Sequence, residues 1–170
     1  MPQTRSLIPA CTLAFAAMMA FSSSANGSPQ VSTLDAQIEH ALSGCADTPP
    51  ERTVFGIIPP GFDYRFTATS TADAHPVRET HLTFAGGWER SVRKSVVRGT
   101  EVSELKRELR LAGSKAPAWL LAAESQIDGF LKKYTPGKPV TYEVALLGCT
   151  GTAGSYDAIM TLKDFEVGPD

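Results

Sequence analysis

Residues 62–69 read FDYRFTAT, an alternation of apolar and polar side chains that decides the fold class. Phe62, Tyr64, Phe66 and Ala68 point to one side of an extended chain, and the residues between them point to the other. A period of two over this length is typical of a strand with one buried face. The stretch therefore predicts a sheet with one covered and one polar face, which antiparallel sheets allow.

Further strands are predicted on both sides of this stretch. Thr53–Ile58 precedes it, and the pair Gly86-Gly87 suits a two-residue turn between antiparallel strands. We therefore predict a hairpin of Val77–Ala85 with Trp88–Val97. The last two strands are predicted at Val140–Leu147 and about Tyr156–Val167.

Three helices are predicted from apolar residues spaced three and four apart. The first is capped by Ser32 or Thr33, and the others are predicted at 100–113 and 117–134. The order is α-ββββ-αα-ββ, an α+β fold in a single domain. It implies an antiparallel sheet of about six strands, with the N-terminal helix and the two central helices packed mainly on one face.

The N-terminal segment has the features of an export signal. Arg5 is followed by an apolar run, Leu7–Phe21, and then by small residues up to Ala25. A run this short favours a secretory signal peptide over a membrane-spanning helix. We therefore predict a signal peptide at 1–25, cleaved near Ala25, and a mature domain at 26–170 without a membrane span, in the periplasm or outside the cell.

The cysteines support the same destination. Cys11 leaves with the leader, so Cys45 and Cys149 remain as one pair in a compartment that permits oxidation. We predict a disulfide between them, tying the first helix to the C-terminal strands. Closing a loop of about 100 residues is worth about 4 to 5 kcal/mol in the chain-entropy model.

The charge of the chain argues against two classes of partner. The formal net charge is −2, and because Arg5 is the only charged side chain of the leader, the mature domain has −3. Such a chain has no general attraction for nucleic acid or an anionic membrane. No motif predicts a metal or a cofactor, and none is expected.

Charged and aromatic residues gather around the predicted hairpin. The binding candidates are Trp88, Arg90, Arg93, Lys94 and Trp119. Exposed tryptophans are frequent contact residues, and the basic side chains would favour an acidic partner. Two alternatives stay open: the charges guard an edge strand against aggregation, and the tryptophans fold back onto the sheet.

The sequence contains no convincing catalytic constellation. We therefore interpret the chain as an exported, non-enzymatic domain that binds another envelope or secreted protein. It would act as an inhibitor, an immunity-type protein against an envelope-acting toxin, or an envelope accessory factor. One alternative is a small periplasmic enzyme that uses His81 or His75 with Glu79. Another is a carrier of an apolar ligand.

Overall fold

The computed structural model describes residues 29–46, 53–59, 63–92, 101–112, 116–152 and 154–168. In chain order the elements are β1 (Gln30–Val31), α1 (Leu34–Ser43), β2 (Val54–Ile57), β3 (Asp63–Ala68), β4 (Ser70–Pro76), α2 (Glu79–Val92), a 3-10 turn (Val102–Glu104), β5 (Leu105–Leu111), β6 (Ala118–Ala123), α3 (Glu124–Lys133), β7 (Val140–Thr152) and β8 (Ser155–Val167). The predicted signal peptide lies outside these residues. No helix within them is long and apolar enough to cross a membrane.

The strands form one mixed sheet. Its order is β1-β3-β7-β8-β6-β5-β4, and β2 pairs with the far half of β7. The pairs β1–β3 and β6–β8 are parallel, whereas the other pairs are antiparallel. The predicted α+β class is therefore confirmed. The described part of the chain has eight strands rather than six, and the sheet is not purely antiparallel.

Each face of the sheet has its own core. On β6, Leu120 and Ala122 belong to one apolar cluster and Leu121 belongs to another. Because neighbouring residues of a strand point to opposite faces, the two clusters lie on opposite sides of the sheet. Helices α1 and α3 cover the first face, and α2 covers part of the second. Two of the three helices thus share a face, and α2 gives the sheet a third layer.

The first helix is confirmed with its cap. The Thr33 hydroxyl accepts a hydrogen bond from the Ala36 N–H, and Leu34, Ile38 and Ala41 are buried. This is the standard N-cap arrangement, followed by an apolar stripe at helical spacing.

The predicted disulfide is also present and joins the end of α1 to β7. The Cys45–Cys149 bridge has an S–S distance of 2.03 Å and spans 104 positions of sequence. Glycines let the backbones approach at this point. A Cβ on Gly56 would lie 2.5 Å from both the Cys149 sulfur and the Gly44 carbonyl carbon. At Gly148, φ is +135° and a Cβ would lie 1.8 Å from the Gly56 carbonyl oxygen.

The predicted hairpin at 77–97 is wrong. Residues 79–92, which include most of its first strand, its turn and the start of its second strand, form α2, and Gly86-Gly87 lie inside that helix. The residues that α2 turns toward the sheet recur at helical spacing, and this period outweighs the turn preference of two glycines. They are His81, Phe84, Ala85, Trp88 and Val92. Residues 93–97 lie outside the described ranges.

Two helix predictions also need correction. The segment predicted as a helix at 100–113 forms β5, in which a β-bulge places Leu105 and Leu109 on opposite faces. The helix predicted at 117–134 is confirmed only in its second half, α3. Its first half is β6, which is buried on both faces and therefore shows no alternation.

The predicted C-terminal strands are confirmed, although β7 is longer than expected. It continues through Cys149 to Thr152, where Thr152 pairs with Ser155. Most of the loop expected at 149–155 is therefore strand.

Candidate functional site

Four ionisable side chains meet where α2 begins: Arg78, His81, Glu108 and Asp157, named here the His81 cluster. Arg78 precedes α2, and its carbonyl accepts the N–H of His81, so the helix start fixes both residues. Glu108 comes from β5 and Asp157 from β8. The cluster therefore joins α2 to two strands of the sheet.

The imidazole of His81 lies between two carboxylates. Its Nδ1 is 2.8 Å from a Glu108 oxygen, and its Nε2 is 3.3 Å from an Asp157 oxygen. The side chains of His81 and Glu108 are each only 1% exposed. The Arg78 Nη2 also lies 3.4 Å from Nδ1, but a ring with a carboxylate at each nitrogen is best satisfied when both nitrogens carry hydrogen, so the geometry favours the imidazolium form of His81.

Arg78 completes the charge balance. Its Nε donates to Glu108 at 2.7 Å, its backbone N–H donates to the other Glu108 oxygen at 3.2 Å, and its Nη2 lies 3.4 Å from Asp157. The guanidinium carbon stands 3.9 Å above the Trp119 ring, as in a cation–π contact. Two positive and two negative groups thus offset each other within the cluster.

The surroundings favour the charged forms of His81, Glu108 and Asp157. Burial alone would lower the pKa of His81, but hydrogen bonds to Asp157 and Glu108 outweigh it and raise the pKa. Burial would raise the pKa of both carboxyls, but hydrogen bonds from His81, helped by the Arg78 charge, lower it instead. The Trp119 indole N–H is buried and has no hydrogen-bond partner at normal geometry. It is nevertheless close enough to Asp157 to help lower the pKa of that carboxyl.

The arrangement limits the chemistry that His81 can perform. A general base needs a lone pair that a substrate proton can reach. Both nitrogens of His81 face carboxylates, and solvent reaches the cluster only at Arg78, which is 44% exposed, and at Asp157, which is 23% exposed. Among the described residues, no group of three or more His, Cys, Asp or Glu could hold a metal ion. The cluster is thus best suited to fastening α2.

His81 is the one predicted acid–base residue that the structure places in the cluster, and its partners differ from the prediction. Glu79 is exposed in the first turn of α2. His75 lies opposite Glu108 in the register of β4 and β5, but its half-exposed imidazole pairs with Asp73 at 3.0 Å. The predicted trio of His75, Glu79 and His81 is therefore not assembled.

The predicted binding residues separate into two kinds. Trp88 and Trp119 pack between α2 and the sheet; the Trp88 indole donates to the Ile58 carbonyl at 3.0 Å, and Trp119 lies beneath Arg78. Trp88, on α2, and Trp119, on β6, therefore both pack against the core between this helix and the sheet. Arg90 is exposed on α2. Arg93 and Lys94 lie outside the described residues.

Sequence reasoning missed Arg78, Glu108 and Asp157. Once Leu105–Leu111 is assigned as a strand, its bulge puts Glu108 on the same face as Leu105, toward α2. No local signal indicates Asp157, because it lies 76 positions from His81. Only the parallel pairing of β6 with β8 brings it to this part of the sheet.

Fold and site together define the class of protein: a disulfide-bonded α+β protein whose central sheet is joined to one helix by a buried ion cluster. No protein-family model matches the chain, and no curated protein matches it at a significant level. A proposal for its function therefore has to come from its own geometry.

Proposed function

We propose that this chain is an exported, non-enzymatic protein-binding domain. It acts as an inhibitor, as an immunity-type protein against an envelope-acting toxin, or as an accessory factor of an envelope assembly. The observation that carries the proposal is the engagement of both His81 ring nitrogens by carboxylates, those of the buried Glu108 and the partly exposed Asp157. The group best suited to acid–base chemistry is thereby committed to holding α2 on the sheet.

A fastened helix is useful to a binding surface. Binding costs less free energy when the surface is already ordered in the free protein. The His81 cluster holds the start of α2, and Trp88 holds its middle through the Ile58 carbonyl. Arg90 lies exposed on the outer side of this helix and is our candidate contact for an acidic group of the partner.

The proposed location outside the cytosol rests on the predicted signal peptide at 1–25 and is supported by the disulfide. Disulfides persist in oxidising compartments such as the periplasm. The proposed partner is therefore another envelope or secreted protein.

The test is capture followed by reconstitution. The oxidised mature domain, residues 26–170, is immobilised, envelope extract is passed over it, and each captured protein is purified and titrated against the domain by calorimetry. The proposal predicts one saturable partner whose affinity falls about tenfold with Arg90→Glu, a loss of about 1.4 kcal/mol. The control is Lys132→Glu, the same charge reversal on exposed α3, across the sheet. Absence of any saturable partner contradicts the proposal.

A small envelope enzyme is the second candidate, and one observation favours it. The Asp157 side chain is 23% exposed, so a substrate could touch the edge of the cluster. This hypothesis predicts turnover that collapses in Asp157→Asn. Turnover that persists in that variant would exclude the His81 cluster as the active site, and an absence of any turnover would remove the enzyme hypothesis.

A further inference from the structure

The part of the sheet beyond α2, on the same side, is not covered by a helix of the described chain. Alternate residues of three neighbouring strands point outward there. We name them the open sheet face: Arg65, Thr67, Thr141, Glu143, Asp164 and Glu166. All six are exposed or half-buried, whereas their neighbours Phe66 and Tyr142 are buried on the other side, under α1 and α3.

The strand register arranges these side chains in two rows. Arg65, Glu143 and Asp164 lie directly opposite one another across β3, β7 and β8. In the next row, the hydroxyls of Thr67 and Thr141 are 3.0 Å apart. The open sheet face, apart from Thr67, borders a shallow depression of about 80 Å³. The surface is therefore concave, polar and built on regular strands.

The first row extends to the edge of the sheet. β1 pairs with β3 so that Val31 lies beside Arg65, and Val31 is 88% exposed. The row thus ends in an exposed apolar side chain. Contact areas between proteins commonly combine apolar and polar groups in this way.

The charges on this face are not balanced. The guanidinium of Arg65 reaches diagonally to Glu166 and forms its ion pair there. Glu143 and Asp164 lie opposite each other, and no cation of the described residues is within ion-pair distance of either. Like charges directly opposite each other destabilise a sheet. Arg65, opposite Glu143, and Lys163, beside Asp164, are the nearby cations, but their ion pairs are with Glu166 and Asp63, so the face keeps a surplus of negative charge.

We propose that the open sheet face is a docking surface for a basic surface of a partner protein, with one Arg or Lys side chain inserted between Glu143 and Asp164. A guanidinium or ammonium group there replaces the repulsion between two carboxylates with charge-assisted hydrogen bonds. The inference rests on the proposed protein-binding function and names the chemistry of the partner. Such contacts act on encounter rate and specificity, and they weaken with salt.

The test uses the oxidised mature domain and fluorescein-labelled hexa-arginine as the probe, with binding followed by fluorescence anisotropy at about 20 mM salt. We expect the double variant Glu143→Gln/Asp164→Asn to bind the probe about tenfold more weakly than the unchanged domain. The matched control is Glu39→Gln/Asp128→Asn, which removes the same charge from exposed positions of α1 and α3, across the sheet. It should stay within about twofold.

A second measurement does not depend on the probe. Asp164→Asn alone should raise the midpoint of urea denaturation at low salt, because it removes the repulsion from Glu143 while its amide oxygen can still accept the Phe165 N–H, and the gain should shrink at high salt. Equal peptide affinity in the double variant and the unchanged domain would overturn the inference. So would a lower midpoint for Asp164→Asn, or displacement of the peptide by Ca²⁺ with the same dependence on these variants.

The outcomes also separate this inference from the proposed function. An envelope partner that binds the double variant as tightly as the unchanged domain overturns the docking surface and leaves the binding function standing. Variant-dependent peptide binding without any captured envelope partner supports the surface and contradicts the binding function.

Discussion

Replacing His81 with alanine should destabilise the fold strongly. The substitution removes an imidazolium that contacts Glu108 at 2.8 Å and Asp157 at 3.3 Å. Glu108 is 1% exposed, so water cannot easily take the place of the lost ring. Arg78 would remain as its only cationic partner in the cluster.

The magnitude follows from burial. Removing one partner of a buried ion pair costs about 3 to 5 kcal/mol, because the other charge is left without compensation. Arg78 still donates twice to Glu108, and Asp157 is partly exposed, so the expected loss lies at the lower end, about 3 kcal/mol. Against a typical total stability of about 5 to 15 kcal/mol, this is a large fraction.

The assay is urea denaturation of the oxidised chain, followed by circular dichroism. His75→Ala is the matched control, because His75 also pairs with a carboxylate but is 52% exposed, and its loss should cost less than about 0.5 kcal/mol. If His81→Ala does not fold, His81→Gln keeps one donor and gives the same comparison. A loss below about 1 kcal/mol for either His81 variant would refute the structural role of the cluster.

Three further predictions concern pH, the helix glycines and the disulfide. Because the pKa of His81 is raised in the folded state, its contribution to stability is complete below about pH 6.5 and is lost as the pH rises through the folded-state pKa. The urea midpoint should therefore fall over this range. A midpoint that rises between about pH 7 and pH 9 would contradict the raised pKa. Gly87→Ala should stabilise the chain by about 0.5 to 1 kcal/mol, because Gly87 lies inside a helix and a Cβ there would contact no other atom. Gly148→Ala should cost more than about 2 kcal/mol, because its Cβ would collide with the Gly56 carbonyl oxygen. If Gly87→Ala destabilised the chain in denaturation experiments, a turn at this position would be favoured over α2. Reduction of Cys45–Cys149 with dithiothreitol should lower the free energy of unfolding by about 4 to 5 kcal/mol, the chain-entropy value for a loop of this length, and an unchanged value would show that the bridge does not constrain the chain.

The elements that sequence reasoning placed correctly carry their information locally. Thr33 and the stripe behind it define α1 without reference to the rest of the chain. The alternation in residues 62–69 defines β3 because that strand has one polar and one apolar face. The disulfide follows from counting the cysteines that remain when the predicted signal peptide is set aside.

The elements that were misassigned depend on contacts distant in sequence. The run at Ala118–Ala123 contains good helix formers, and it becomes a strand because β5 and β8 flank it on both sides. Leu105 and Leu109 fit a helical spacing, and only the bulge reconciles them with β5. Gly86-Gly87 favours a turn locally, whereas the apolar stripe that α2 buries favours a helix.

The same limit applies to the site. His81 could be selected from the sequence because histidine can act as an acid or a base, and the structure places it at the centre of the ion cluster. Its true partners, Glu108 and Asp157, lie 27 and 76 positions away and are brought close only by the sheet order. Glu79 is the carboxylate closest to His81 in sequence. However, side chains two positions apart on a helix point to different sides, so Glu79 and His81 do not face each other.

The central claim is that His81 is a buried imidazolium held by two carboxylates. Nitrogen-15 NMR of the histidine side chains tests it directly, with the His81 signals assigned by their absence in His81→Gln. Near neutral pH the account predicts hydrogen on both ring nitrogens, and a titration that lies above the ordinary pKa of about 6.5. A neutral ring with one free nitrogen, titrating below that value, would contradict the account and return His81 to the role of an available base.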